Sequence, residues 1–158
     1  MRLKMIDVEK YINEKIKKLK GNRKRKISFL KKEETIKWIT DKIREEPGVY
    51  LAFEKGKIVY VGETTNLCKR FIHLTNTQNH CLRISIGKDK KACKKGSSRK
   101  KCPPHTEKEI DRWLTQGMKF TWLNIPLGRK EIEEKIICSP DNPKYNQKGK
   151  KHCERREK

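Results

Sequence analysis

Acidic residues are scarce in this chain of 158 residues: 20 Asp and Glu stand against 42 Lys and Arg, a formal charge of +22. That imbalance argues against a basic partner and for a polyanionic one, nucleic acid ahead of an anionic membrane surface. Long apolar runs are missing too. No stretch approaches the about 18 apolar residues of a membrane span, so no membrane partner is expected. Residues 1–10 carry charges where an export signal needs an apolar run, which makes a cytoplasmic location the expectation. None of the cysteines Cys68, Cys81, Cys93, Cys102, Cys138 and Cys153 forms a Cys-x-x-Cys pair. The irregular spacing of Cys93, Cys102 and His105, even with Cys81 added, lacks a zinc knuckle, and they read as separate thiols. Without an export signal, reduced thiols are the default. The bias to Lys, Ile and Glu also suits a thermophile, where cytosolic disulfides occur, and both readings stay open. No internal repeat is present. With 33% hydrophobic and 39% charged residues, the chain can bury one modest core, which suits one domain with solvated extensions.

Apolar spacing lays out the elements. Ile6, Tyr11, Ile12, Ile16 and Leu19 predict an exposed basic helix over residues 4–20, stopped by Gly21-Asn22. Arg23-Lys24-Arg25-Lys26 reads as a solvated linker or a phosphate contact. A second helix over 31–45 carries the stripe Ile36, Ile39 and Ile43, and Pro47 bars its continuation. Residues 48–53 and 58–61 are short, apolar and β-prone around a turn at 54–57, which predicts a hairpin ended by Gly62. Thr64 or Thr65 can cap a helix through Leu67, Arg70, Phe71 and Leu74. Residues 75–86 are ambiguous, and 87–104 read as a basic loop. Thr106 and Glu109 form a capping box for a helix through Ile110, Trp113 and Leu114. Residues 119–125 suit a third strand, and 129–138 a last helix with Ile132, Ile136 and Ile137 inward. The expected organisation is a basic helical extension over 1–46, a domain over 47–147 and a basic tail over 148–158.

The strongest signal lies in the hairpin and the segments after it. Gly48-Val49-Tyr50 begins one strand and Tyr60-Val61-Gly62 ends the next. Asn66-Leu67-Cys68-Lys69-Arg70 comes next, on a helix. Far downstream, Glu133 precedes Ile136-Ile137 and then Pro143-Lys144-Tyr145-Asn146. Together, over about residues 47–146, these motifs resemble the GIY-YIG nuclease family. The resemblance implies an α/β (α+β) fold: a small, mainly antiparallel three-stranded sheet flanked by helices. It implies a metal-dependent endonuclease acting on DNA, most simply the duplex, with Mg2+ or Mn2+. Its catalytic residues would be Tyr50, Tyr60, Arg70 and Glu133, with Asn146 anchoring the end of the last helix.

The chemistry fits these residue types. Phosphodiester hydrolysis needs an activated water, relief of charge in the transition state and help for the leaving oxygen. Glu133 is a sensible single-carboxylate ligand for magnesium. Arg70 offers permanent planar charge to a phosphate. A tyrosine can act as base or position the water if nearby cations lower its pKa. Taken singly, each has a plainer reading: a strand aromatic for Tyr50 or Tyr60, a surface helix residue for Arg70, a solvated acidic face for Glu131, Glu133 and Glu134. Glu133 is preferred over Glu134 because it stands three and four residues before Ile136 and Ile137, on their face. The chain also departs from the family. Glu63 stands where many relatives have lysine. The Tyr or His often found one turn after the arginine is displaced to His73, a candidate general acid or base one residue short of that turn. His80 and Arg83 lie in a polar segment expected to face nucleic acid, and Lys94, Lys95, Lys100 and Lys101 in the basic loop are expected on the phosphate backbone. The alternatives are a module of the same fold that binds nucleic acid without cutting, or a nuclease acting on RNA.

Overall fold

The computed structural model describes residues 7–76, 80–89, 104–146 and 153, with the side chains of 104 and 105 left aside. It is α+β: a three-stranded antiparallel sheet in the order β2-β1-β3, with helices on both faces. The hairpin forms β1 (Gly48–Glu54) and β2 (Lys57–Thr64). Lys55 at φ 50° and Gly56 at φ 77° make its two-residue turn, the left-handed pair that matches strand twist. The third strand, β3 (Met118–Asn124), pairs with the other edge of β1.

Gly62 does not end β2, as expected, but sits inside it opposite Tyr50. A Cβ there would stand 2.3 Å from the Tyr50 ring and hydroxyl, so this glycine makes room for the tyrosine. Gly48 is confined in the same way, its imagined Cβ falling 2.3 Å from the Leu123 carbonyl. Both motif glycines are therefore packing requirements of the sheet, not chain breaks.

Alternation along the strands builds two cores. One face gathers Tyr50, Ala52, Tyr60 and Phe120 with Ile27, Phe29, Ile39, Leu67 and Phe71. The other gathers Val49, Leu51, Val61, Ile132, Ile136 and Ile137 with Ile12 and Leu19. The stretch expected as an extension thus packs into both cores. α1 (Val8–Gly21), capped by the Asp7 carboxylate, buries Ile12 and Leu19. α2 (Lys32–Lys42) buries Thr35 and Ile39, while Ile36 is only half-buried. Between them Arg25 exchanges two backbone hydrogen bonds of 2.8 Å with Phe120 and lengthens the sheet by a bridge.

Asn66, rather than Thr64 or Thr65, caps α3 (Leu67–His73) by accepting from the Lys69 amide. The ambiguous segment contains α4 (Cys81–Asp89), which takes the first residues assigned to the basic loop. α5 (Pro104–Gly117) starts two residues before the expected capping box, so Thr106 lies buried within its first turn. Proline suits that turn because its missing N–H needs no partner there. α6 (Arg129–Ile137) turns Ile132, Ile136 and Ile137 inward as expected. Beyond it Cys138 is joined to Cys153 in a disulfide, against the default of reduced thiols, while Cys68 and Cys81 are free. No helix among the described residues is long and apolar enough to cross a membrane.

Candidate active site

Tyr50 and Tyr60 lie diagonally on one face of the hairpin, since Tyr50 pairs with Gly62 and Ala52 with Tyr60. Their ring centres are 6.0 Å apart. The Tyr50 oxygen is a junction. Arg70, in the middle of α3, donates to it from Nε at 3.3 Å. His80, just before α4, faces it from Nε2 at 2.8 Å. The Leu82 amide donates to His80 Nδ1 at 3.1 Å, so in a neutral ring Nδ1 carries the lone pair and Nε2 the hydrogen. His80 therefore donates to Tyr50, and with Arg70 it leaves the Tyr50 hydroxyl to donate onward, towards Tyr60.

Burial dominates the electrostatics. It raises the pKa of Tyr50 well above the usual phenol value, and the neighbouring Tyr60 adds to the rise while Arg70 opposes it. Tyr60 is raised for the same first reason, with Arg70 again opposing. The expectation that nearby cations would lower a tyrosine is thus reversed: desolvation of a phenolate outweighs one guanidinium. The pKa of His80 is pushed well down, first by burial and then by the charges of Arg70, His73 and Arg83, so it is neutral at physiological pH.

Glu133 projects from α6, half-buried, into the field of Tyr60, Arg70 and Glu63. Its pKa is raised by burial and then by the Glu63 carboxylate, against the pull of a hydrogen bond from the Glu63 backbone and of Arg70. Glu63 is held at 3.4 Å by Arg129. Glu134 is half-buried too.

Four expected residues, Tyr50, Tyr60, Arg70 and Glu133, therefore converge. Others do not play their expected part. His80, expected on a nucleic-acid surface, is 1% exposed and belongs to the tyrosine cluster. Arg83, expected to meet nucleic acid, is wholly buried: it donates to the Leu74 and Glu107 carbonyls and pairs with the carboxylates of Glu107 and Asp111. Its fork ties α3, α4 and α5 together. His73 is exposed, close enough to depress His80, but its ring joins no hydrogen bond among the described residues. Asn146 is committed to the main chain: its oxygen accepts from Val61 N at 2.9 Å and its amide donates to Val61 O at 2.8 Å. With Tyr145 donating to the Val59 carbonyl, it covers the free edge of β2. Lys94, Lys95, Lys100, Lys101, Cys93 and Cys102 lie outside the described residues, as does the His105 side chain.

Two features of the site are not legible in the sequence: the proximity of Glu63 to Glu133, and the placing of Trp122 opposite Tyr50. Strand register is the signal for the second, and a hairpin motif alone does not carry it. The chain was compared with family models, characterised proteins and solved structures, and matches none of them.

Proposed function

We propose that this chain is a divalent-metal-dependent endonuclease of the GIY-YIG type that hydrolyses phosphodiester bonds in DNA. The observation that carries the reading is the convergence of Tyr50, Tyr60, Arg70 and Glu133, from four separate elements, around one polar centre. Their sequence order is that of the family, and their side chains supply the groups the chemistry requires.

The donor set fits a hard divalent ion. Among the described residues no group of three or more His, Cys, Asp or Glu is placed to hold a metal, so waters and the phosphate would have to supply most ligands of a bound ion. Glu133 would hold it, and the repulsion between Glu133 and Glu63 is the kind a divalent cation relieves. Such an ion, when bound, lowers the pKa of a coordinated water and offsets charge on the phosphate. The protein's own groups do the rest. Arg70, permanently charged, neutralises the phosphate oxygens. Tyr60 holds its proton at neutral pH and so orients the water or phosphate through a hydrogen bond, whereas Tyr50, wholly buried and with its oxygen bonded to Arg70 and His80, keeps Arg70 and Tyr60 in position. His80 keeps Tyr50 in place by donating to its oxygen. The exposed lysines and the +22 charge hold the backbone of the polymer.

One observation favours the rival reading of a binding module without activity: Glu63 stands where many members of the GIY-YIG family carry lysine, and it brings negative charge to the site. Incubating the protein with supercoiled plasmid and with RNA, with and without Mg2+, separates these readings. Nicking or linearisation of the plasmid only with the metal is expected. Bound but intact plasmid would support the module, and cleavage of RNA alone would move the substrate to RNA.

A further inference from the structure

We infer that Trp38 and Trp122, with Arg25, form a stacking surface for an unpaired nucleobase beside the phosphate held by Arg70. The inference rests on the nuclease reading for the nature of its ligand and narrows the substrate class to DNA with a single-stranded stretch at the cut.

Trp122 is the β3 partner of Tyr50, so the two side chains rise from the same face of the sheet on neighbouring strands. Phe71 lies between them, its ring centre 5.2 Å from Tyr50 and 5.3 Å from Trp122. Trp38, from α2, meets Trp122 edge to face at 6.5 Å. Tyr50, Phe71 and Phe120 are wholly shut from solvent, whereas Trp38 and Trp122 are only partly buried. The aromatic cluster is closed at its centre and opens to solvent at this end.

The open end carries a cation. The Arg25 guanidinium carbon stands 5.9 Å from the Trp122 ring centre, and the Arg25 backbone is fixed by its two bonds to Phe120. Partly exposed indole rings with permanent positive charge beside them are how proteins hold single strands: bases stack on the rings and phosphates meet the cation. Arg25 lies at the Trp122 end of this run of rings and Arg70 at the Tyr50 end, so a base on the indoles has a cation beside it for its phosphate. The bases of an intact duplex, already stacked on one another, cannot present their faces to these rings.

Intrinsic fluorescence tests this in the full chain. Trp113 on α5 is 42% exposed and would mask the signal, so Trp113→Phe serves as the parent and emission then reports Trp38 and Trp122. In buffer with chelator, where no cleavage occurs, the parent is titrated with a single-stranded DNA oligonucleotide and with a blunt duplex of equal length. Quenching by the single strand well beyond that by the duplex is expected. Trp38→Leu should weaken single-strand binding by at least about fivefold while duplex binding stays unchanged. If Trp38→Leu fails to fold, Arg25→Ala, an exposed change, should weaken single-strand binding by more than it weakens duplex binding. Equal quenching by both DNAs, no quenching, or unchanged affinity in the folded variants would overturn the inference and leave the rings as the rim of the core. A chain that binds single strands at these rings but cuts nothing with Mg2+ keeps this surface and loses the nuclease reading. A chain that cuts plasmid with unquenched emission does the reverse.

Discussion

Glu133 and Glu134 stand side by side on α6, so about 100° of helix turn separates their side chains. Glu133 lies in the field of Tyr60, Arg70 and Glu63. Glu133→Gln keeps the size and loses the charge that a divalent ion needs. It should abolish cleavage while keeping DNA binding, and Glu134→Gln should cut nearly as the parent does. The reverse pattern would mean that the other glutamate holds the ion. A second consequence needs no DNA. The folded pKa of Glu133 is raised, chiefly by burial, so the protonated side chain favours the folded state. That contribution is complete below the unfolded carboxyl value of about 4.3 and is lost as pH rises through the folded value. At pH 7 the ionised carboxylate therefore costs stability that an amide does not. Glu133→Gln should melt higher than the parent at pH 7, with the gap closing as pH falls towards 4. A gap that stays constant with pH would place its cause elsewhere.

Elements are easier to read than their ends. The strands and α6 follow from alternation and from the inward spacing of Ile132, Ile136 and Ile137, because such patterns reflect which face is buried. What a distant residue does at an end is not local information. Gly62 looks like a stop because its neighbour across the strand, Tyr50, cannot be seen from the run itself. His80 looks like a surface residue because nothing near it tells that the chain folds back onto a tyrosine 30 positions earlier. Arg83 reads as a cation for nucleic acid in a basic chain, yet Glu107 and Asp111, from a helix beyond the basic segment, already hold it. The end of α6 carries an element-scale consequence. The disulfide from Cys138 spans 15 positions to Cys153 and encloses the segment that covers the β2 edge. Closing a loop of that size stabilises by about 3 kcal/mol, mainly by restricting the unfolded chain. Reduction should therefore lower Tm by roughly 6–12 °C for a chain of this length. Cys138→Ser should melt at that lower value with or without reductant. If reductant leaves the Tm of the parent unchanged, this bridge is not formed in solution.

At the scale of the whole molecule, the nuclease reading makes charge the term that brings the chain to nucleic acid before any site is engaged. Each phosphate that a cation neutralises releases condensed counterions, so log affinity for duplex DNA falls with log salt at about −0.9 per phosphate. Two sets of cations compete for this role. Arg23, Lys24, Arg25 and Lys26 flank the β3 edge, but two of them are also spent on rings: Lys24 lies 4.7 Å from the Phe53 ring centre and Arg25 stands over Trp122. Lys94, Lys95, Lys100 and Lys101 fall in the chain between α4 and α5, two helices tied by the buried fork of Arg83. Changing those four lysines to glutamine should flatten the salt slope by up to about 3.6, at about 0.9 for each phosphate no longer neutralised. It should weaken binding to all sequences alike, since phosphate contacts carry no base information. Changing Arg23 and Lys26 should flatten the slope by at most about 1.8 on the same reckoning, and leave single-strand quenching at Trp122 intact. A slope unchanged by the four lysine substitutions would remove that segment from the binding surface and leave the β3 edge as the place where the polymer is held.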